Sequence, residues 1–536
     1  MAKTKAMNKY WRVGEPMVWI SGAALSVTLL SAVVLLIVIM VNGLGVFWPS
    51  QLHELELKDG SRMIGKLVQT VPTADETGLR NQYKIANRDL YGLDFRWIDK
   101  TQIISESTPK QLLVLERIEH GDFYGTLKKL EPGPNQALPD TLAGLKQALK
   151  TVSKEKGNLS ELDSKLKDTS YQMEQIRLAL LKLNYNKVPQ SDPERQELMK
   201  EKQVLDQEFA RLIEVQTSRT TKIRQAKAVF ADANGKEKEI VLADIVQVYA
   251  PNQMSTGEKA IFYLKKIWEL FSGQPRESNT EGGLFPAIFG TVMLIFVMSL
   301  FSFPLGVIAA IYLREYAKEG LLVRIVRIAV NNLAGIPSIV YGIFGLGFFI
   351  YGIGHTIDTL FFPERLPTPT FGTGGLLWAS LTLALLTVPV VIVSTEEALG
   401  AIPREMREGS YALGSTKFQT LVRILLPMAS PGIMTGLILA MARAAGEVAP
   451  LMITGVVKLA PALPIDGNFP FLHLDRKFMH LGFHIYDIGF QSPNVEAAKP
   501  MVFVTTLLLV LIVLIMSSVA IRLRNKMKKR YTFGTF

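Results

Sequence analysis

Residues 394–455 read STEEALGAIPREMREGSYALGSTKFQTLVRILLPMASPGIMTGLILAMARAAGEVAPLMITG, and this stretch decides the fold. It crosses a charged loop rich in small residues and then enters an apolar segment that carries Arg443 and Glu447. A charge inside a membrane segment is costly, so such residues face a protein interior or a cavity. The rest of the chain is therefore interpreted as the support for this segment.

The composition is that of a membrane protein with a soluble part. The 536 residues are 48% hydrophobic, yet 20% are charged and the net charge is +11. Most of the excess positive charge lies beside the apolar runs, which fits the positive-inside pattern better than nucleic-acid binding. We expect no nucleic-acid partner. Because the chain has no cysteine, disulfides, iron–sulfur clusters and cysteine zinc sites are excluded.

Six apolar runs are long enough to cross a bilayer as helices, which takes about 20 residues. They are predicted at about 18–43, at 282–313, within 333–354, at about 375–395, at about 428–452 and at 501–521. The first run is longer than the apolar region of a cleaved signal peptide, so we expect it to be retained. Lys and Arg concentrate in the segments that we therefore predict to be cytoplasmic: the N-terminus 1–17, 314–327, 396–427, and the end of the chain with its tail 526–536.

Residues 50–280 predict an inserted α+β domain, which the predicted orientation puts in the periplasm. The pairs Asp59-Gly60 and Asn234-Gly235 are flanked by alternating residues, the pattern of β-hairpins. At about 140–220, apolar residues recur every three or four positions until KVPQSDP at 187–193 interrupts them. We expect an antiparallel coiled-coil hairpin there, either an arm that docks a partner or a plain spacer packed on its own domain.

The loop at 396–427 predicts two short helices joined by a glycine hinge. Pro403 fits a first helical turn, where its missing N–H is not needed. Gly414 suits a C-terminal stop. Thr416, with Gln419 three residues on, is typical of a capping box for a second helix that is expected to end at Pro427. From the residues alone, the loop is either a lever for a partner protein or an ordinary amphipathic loop.

The loop carries the pattern of a known membrane family. Residues matching EAA-x3-G-x9-I-x-LP are Glu408, Gly409, Ser410, Gly414, Ile424, Leu426 and Pro427. Gly409 and Ser410 stand where alanines are usual. Through this pattern and ARAAGEVAPL at 442–451, the chain resembles the phosphate permeases of type I ABC importers over about 282–525.

The resemblance implies a fold and a role for the loop. The fold is an all-α polytopic membrane core with six transmembrane helices, in a long form that has an inserted α+β periplasmic domain with a helical hairpin. The residues of the loop pattern are implied to dock in a groove of a separate ATPase subunit.

Arg443 and Glu447 are candidates for the translocation pathway. They are four residues apart, so on a continuous helix they share a face and can pair. Arg offers a planar fork that suits phosphate oxygens, and Glu447 would hold it while no anion is present. A structural ion pair that fixes helix packing is the alternative. Small residues at four-residue spacing predict close helix packing on the same segment: Gly432, Gly436, Ala440 and Ala444.

The chain has no phosphate-binding loop of the GxxxxGK[ST] type, so ATP hydrolysis is expected on another subunit and the chain is not expected to be an enzyme. The resemblance implies the permease subunit of an ATP-driven phosphate importer in the bacterial inner membrane, with both termini cytoplasmic. Its implied partners are a second permease subunit (PstC-like), an ATPase dimer (PstB-like) that holds ATP and Mg²⁺, and a periplasmic phosphate-binding protein (PstS-like). No cofactor is expected on this chain.

Two other functions stay open from the sequence. One is a permease for another oxyanion, such as sulfate or molybdate. The other is a membrane sensor or scaffold that acts through the periplasmic domain. The spacing of His473, His480 and His484 is not that of a metal site, so we expect an outer loop and no metal. Asn331 and Asn332 are predicted at the membrane interface, at the start of the third span.

Overall fold

Long uncharged runs become helices because backbone polar groups in lipid must be satisfied within the segment. The computed structural model describes residues 15–73, 78–133, 138–492 and 494–531. Within these residues, six helices are long and apolar enough to cross a membrane, the number predicted: Pro16–Gly45, Phe285–Tyr316, Ser338–Phe361, Leu376–Gly400, Lys417–Gly446 and Val495–Lys529. They are called the first to sixth spans. The predicted N-terminal segment 1–17 and tail 526–536 lie partly outside the described residues.

The fourth span is the centre of the membrane core. It packs against the second span on one side and the fifth span on the other. Its side chains Leu383, Leu386 and Val391 are fully buried. The first span packs instead along the sixth span at the margin of the core.

The fifth span corrects two predictions. It begins at Lys417, so the predicted second loop helix is its first turn, and the loop contains one short helix, not two. Proline normally stops a helix because its ring clashes with the carbonyl four residues earlier. A wide π-type turn at Leu421–Leu425, closed by Leu426 N–H to the Leu421 carbonyl, precedes Pro427 and removes that conflict.

The fifth span also ends earlier than predicted. The helix stops at Gly446, and a separate short helix runs over Ala449–Thr454, with Pro450 in its first turn. Glu447 has extended backbone angles between the two. The prediction that Arg443 and Glu447 share the face of one helix is therefore wrong.

The third span begins later than predicted. Asn331 and Asn332 lie not at its start but in a separate amphipathic helix, Leu321–Leu333. The third span then starts at Ser338, directly after Pro337. It extends to Phe361, seven residues beyond the predicted limit of 354. A proline disfavours helical angles in the residue before it, which separates the two helices.

The inserted region contains two five-stranded antiparallel sheets, which we call the first and second β units. The first unit contains β1 (His53–Leu57), β2 (Arg62–Pro72), β3 (Leu79–Lys84), β4 (Phe95–Asp99) and β5 (Ile103–Ser107). The second contains β6 (Leu113–Arg117), β7 (Phe123–Glu131), β8 (Lys227–Ala231), β9 (Glu237–Val241) and β10 (Ile245–Tyr249). A two-stranded ribbon follows, β11 (Pro275–Arg276) with β12 (Glu281–Gly282).

The two β units have the same topology. In each, four successive strands pair as neighbours, and the fifth strand returns to pair with the first. A single turn of 3₁₀ helix precedes the fifth strand in both, at Lys100–Gln102 and at Leu242–Asp244. The predicted turns are confirmed, since Gly60 and Gly235 have positive φ angles of 80° and 77° between paired strands. The region is therefore a structural repeat.

A helical hairpin is inserted between β7 and β8 of the second unit. Its helices are α1 (Leu142–Tyr185) and α2 (Pro193–Arg224). Thr141 caps α1 by accepting the Gly144 N–H, and Asp192 caps α2 directly before Pro193. The helices pack against each other and turn at the predicted 187–193 break. This is the hairpin predicted at about 140–220.

The β units rest on the ends of the first, second and sixth spans. Helix α3 (Thr256–Ser272) follows the second unit, and its Leu270 packs with Val46 of the first-span end and Met501 of the sixth span. At the same junction, Lys266 pairs with Glu269 at 2.7 Å and with Glu116 of the second unit. The second β unit is thereby fixed to the core, and Gln82 of the first unit donates to Glu496 of the sixth span at 3.1 Å.

Candidate functional site

The loop between the fourth and fifth spans folds as its caps predict. One helix, α4 (Arg404–Ala412), begins after Pro403, which stands at the cap position. Gly414 has a φ of +83°, the left-handed angle that favours glycine after a helix. The capping box of Thr416 and Gln419 is present, with both reciprocal bonds. The glycine stop and the capping box are confirmed.

Several large apolar side chains are exposed on this loop, beside exposed charged residues. We call them, together with the exposed Glu408, the loop surface: Met406, Glu408, Tyr411, Leu413 and Phe418. Leu413 is 89% exposed and Phe418 is 66% exposed. Exposed apolar side chains with polar neighbours are typical of protein-interaction sites. Glu408 therefore lies on a surface suited to a protein partner.

Buried bonds hold the loop surface in place. The Ser410 and Thr420 hydroxyls bond each other at 2.8 Å inside the loop, so small Ser410 closes the turn around Gly414. Ile424 and Leu426 pack on the buried cluster that contains Leu399. Around Gly409 there is open space, so the alanine usual in the family pattern fits there as well.

Arg407 ties the loop to the second span, and the sequence did not indicate this. Its guanidinium donates to the Leu399 and Ile402 carbonyls at 2.7 and 2.9 Å and to Glu315 at 3.1 Å. Glu315 ends the second span and is itself only 10% exposed. The two residues are 92 positions apart, so no local pattern could have paired them.

We expect Arg407→Ala to loosen α4. Removing one partner of a buried ion pair costs about 3–5 kcal/mol, because Glu315 is left without its cation. Amide exchange of 404–412 should accelerate by about 100-fold, the equivalent of roughly 3 kcal/mol. Arg404→Ala is the matched control, since Arg404 is exposed on the same helix. Equal exchange in both variants would show that the bond does not restrain the loop.

Arg443 and Glu447 come together as an open ion pair. Arg443 Nε lies 3.7 Å from Glu447 Oε1, too far for a hydrogen bond. The side chains are 31% and 20% exposed. The third span lies beside them, since Tyr341 packs in the same cluster as Ala444 and Pro450 approaches Gly342. The guanidinium is therefore held near a carboxylate but is not saturated by it.

The small-residue stripe of the fifth span is a packing surface. A β-carbon at Gly436 would lie 2.8 Å from Ser394 Cβ, and one at Gly432 would lie 2.5 Å from Ala398 Cβ. Ala440 and Ala444 are fully buried. The fourth and fifth spans thus approach closely along the stripe, as predicted.

Two of the three histidines of the 456–494 loop have hydrogen-bond partners. Among the described residues, no group of three or more His, Cys, Asp or Glu side chains could hold a metal ion. His473 pairs with Asp466 at 2.9 Å, and His480 Nδ1 accepts the Gly482 N–H. Burial lowers the pKa of His480 to about 3 and that of His484 to about 4.

His480 makes stability depend on pH. Unfolded histidine binds a proton below about pH 6.5, whereas folded His480 stays neutral, so stability falls as the pH drops from 6.5 towards 3. His480→Asn keeps the cap acceptor and removes the titration. The pH slope of the unfolding free energy should therefore decrease by about 1.4 kcal/mol per pH unit. The melting temperatures of the unmodified full chain and of the variant at pH 5 and pH 7.5 check this. An equal drop in melting temperature from pH 7.5 to pH 5 in both proteins would contradict it.

Comparisons with known proteins give the class. Residues 302–529 match the family described as binding-protein-dependent transport system inner membrane component. The probable phosphate transport system permease protein PstA of Methanocaldococcus jannaschii is 34% identical over 221 residues, 40% of this chain and 67% of that protein. The probable ABC transporter permease protein YqgI of Bacillus subtilis is 32% identical over 225 residues, 40% of this chain and 70% of that protein. The chain therefore belongs to this family of inner membrane permeases of ABC importers.

Further relatives point in the same direction over a shorter part of their length. The phosphate transport system permease protein PstA of Mycobacterium leprae is 38% identical over 194 residues, 36% of this chain and 58% of that protein. The chain spans between 51% and 59% of the first curated relatives that it matches. An inward-facing structure of the MetNI methionine ABC transporter is 20% identical and covers 46% of this chain and 95% of that chain. Its TM-score of 0.35 is too low to carry an argument.

Proposed function

We propose that the protein is the PstA-like permease subunit of an ATP-driven phosphate importer and forms half of its translocation pathway. The observation that carries the proposal is the loop surface, a set of exposed apolar side chains and Glu408 that buried bonds hold in shape. It occupies the place of the family pattern between two spans. Relatives from Mycobacterium and Methanocaldococcus are phosphate transport system permeases by name, which favours phosphate as the cargo.

The loop surface is proposed to receive force from an ATPase subunit. Glu408 and the apolar side chains of the loop surface dock in the partner, and the small, exposed Gly409 lets the partner approach the helix closely. Ser410 and Gly414 let the chain turn tightly behind them. Ile424, Leu426 and Pro427 anchor the loop to the core. The ATPase dimer, which is PstB-like, holds ATP and Mg²⁺, and this chain binds no cofactor of its own.

The continuous fifth span gives the force a route to the pathway. Phe418 on the loop surface and Arg443 belong to one helix, Lys417–Gly446. At 1.5 Å per residue, about 38 Å separates them along this helix. A displacement of the loop therefore moves Arg443 relative to Glu447, which lies beyond the end of this helix. The bond from Arg407 to Glu315 carries the same displacement to the second span.

Arg443 and Glu447 are proposed to handle the anion in the pathway. An arginine in a membrane segment is costly unless it faces protein or a cavity, and Arg443 is partly exposed in this chain. A phosphate replaces the Glu447 carboxylate as the partner of the guanidinium, because bidentate charge-assisted bonds are stronger than the 3.7 Å contact. Glu447 re-forms the pair when the anion leaves.

The same proposal includes the assembly and its orientation. A PstC-like permease covers the face that carries Arg443, and a PstS-like binding protein delivers phosphate from the periplasm. The chain crosses the bacterial inner membrane with its termini and the loop surface in the cytoplasm. The two β units and the hairpin then lie in the periplasm, where the lipid bilayer separates them from the ATPase.

Loss of the protein in its own host tests the cargo. Uptake of radiolabelled phosphate should fall to background, while sulfate and molybdate uptake stay unchanged. Loss of sulfate or molybdate uptake instead would favour the other oxyanions.

Deletion of 60–270 tests the sensor or scaffold alternative: some phosphate uptake should persist, because the pathway residues lie outside this region. An effect on signalling with normal uptake in the full knockout would contradict the transporter.

A further inference from the structure

The hairpin is much longer than its own β unit needs. Only the base of α1 packs in the core of the second β unit, through Leu145, Ala148 and Val152, with Lys156 bonded to the Ala243 carbonyl. From Lys156 to Tyr185, α1 extends for about 43 Å more at 1.5 Å per residue. A spacer packed on its own domain does not account for this length.

The middle of α1 lies across the outer loops of the membrane core. The Tyr171 hydroxyl donates to the Phe469 carbonyl at 2.8 Å, in the loop between the fifth and sixth spans. Further along, α1 packs against Pro363–Arg365, in the loop between the third and fourth spans. The pKa of the Glu174 carboxyl is lowered first by its hydrogen bond to Arg177. The nearby Arg365 cation lowers the same pKa further. The middle of α1 therefore lies on both outer loops, and the rest of the hairpin extends beyond them.

The face of α1 that makes these contacts continues beyond them. Steps of three and four residues align Tyr171, Glu174, Leu178, Leu181 and Tyr185 on one face of the helix. The first two contact this chain's own loops, and Leu178 and Leu181 are half-buried. Tyr185 is 58% exposed and lies about 16 Å beyond Glu174. A tyrosine at the end of a docking face is suited to be an anchor for another protein.

The third-span side of the core is suited to be covered by another membrane protein. The third span ends at Phe361, directly before the loop that α1 crosses, and exposes Ile343, Phe348 and Tyr351. The partly exposed Arg443 side chain lies beside the same span. Since arginine is costly against lipid, a protein surface is the favoured cover for this side.

We infer that the hairpin tip, residues 182–196, docks on an outward-facing loop of the second permease subunit. It bridges the two subunits on the outer side, with Tyr185 as the anchor. The inference rests on the proposed function, because it requires a second permease. The soluble binding protein is the competing occupant, and the geometry favours the permease because α1 contacts the loop that directly follows the third span, the span beside Arg443.

Site-specific photocrosslinking in the assembled full-length complex tests the docking. Tyr185 is replaced by p-benzoylphenylalanine, and Glu161, which is 73% exposed nearer the base of α1, is the matched control position. We expect one adduct at the summed mass of the two permease subunits from position 185 and none from position 161. An adduct with the binding protein, or no adduct in a complex that contains both permeases, overturns the inference. Failure of the second permease to copurify with the unmodified chain would instead refute the proposed function.

A shortened hairpin gives an independent measurement. Gln216 bonds Asp163 at 2.6 Å across the hairpin, which sets the register and places Arg177 opposite Lys202. Residues 178–201 are replaced by a four-residue glycine–serine linker, which leaves Tyr171 and the base intact. The two permeases should then dissociate about tenfold faster in detergent, the effect of losing one anchor of about 1.4 kcal/mol. An unchanged dissociation rate contradicts the bridge.

Discussion

Arg443→Ala is expected to lower ATP-driven phosphate uptake by at least about 100-fold while the protein still inserts and assembles. Hydrogen bonds to charged groups contribute about 1.5–3 kcal/mol each, and the variant loses both bonds of a bidentate contact to the anion. Arg443→Lys should restore only part of the uptake, because an ammonium keeps the charge but lacks the planar fork. Radiolabelled phosphate uptake in membrane vesicles measures both variants.

A paired substitution separates the pathway role from a structural ion pair. Replacing a buried ion pair by apolar residues of similar volume is often neutral for stability. If the pair only fixes helix packing, Arg443→Met with Glu447→Leu should keep uptake near normal. The pathway role predicts that this double variant folds, assembles and transports as little as Arg443→Ala. Near-normal transport by the double variant would reject the assignment.

Glu408→Lys is the second large effect that we expect. It reverses the charge of an exposed residue of the loop surface. In a docked interface, a like-charge contact or an unpaired charge costs several kcal/mol. The ATPase should fail to copurify, and ATP-dependent uptake should be lost. Because Glu408 is exposed, the melting temperature of the chain itself should not change.

Glu319→Lys is the matched control for this charge reversal. Glu319 is 90% exposed in the segment after the second span, which the predicted orientation puts on the same side of the membrane. It makes only a 3.5 Å contact with Arg327. Normal ATPase copurification is expected for this variant. If both reversals release the ATPase equally, the effect comes from net charge and not from the loop surface.

The sequence correctly predicts those features whose conformation depends only on a few neighbouring residues. The Gly414 stop, the Thr416 capping box and the Asp59-Gly60 turn each depend on a few adjacent residues. The number of spans followed from uncharged runs, and the hairpin from its apolar spacing and its break. The small-residue stripe also followed, because glycines at four-residue spacing leave room for a neighbouring helix.

The sequence does not predict features that depend on distant residues, or on which of two competing local preferences prevails. The sequence predicts a helix end at Pro427, but the wide turn before it keeps the fifth span continuous. It also predicts Glu447 on the helix of Arg443, whereas that helix ends at Gly446 and a new one starts around Pro450. The bond from Arg407 to Glu315 joins residues from different spans. The repeat of the β units is hidden because the hairpin separates β7 from β8.

ATP-driven transport by the reconstituted complex tests the central claim most directly. This chain, a second permease and the ATPase are placed in liposomes, with phosphate-loaded binding protein on the side of the β units and ATP on the side of the loop surface. The account predicts that phosphate crosses towards the ATP side only when ATP is present, and that sulfate does not follow. Phosphate movement that is independent of ATP, or equal transport of sulfate, would contradict it.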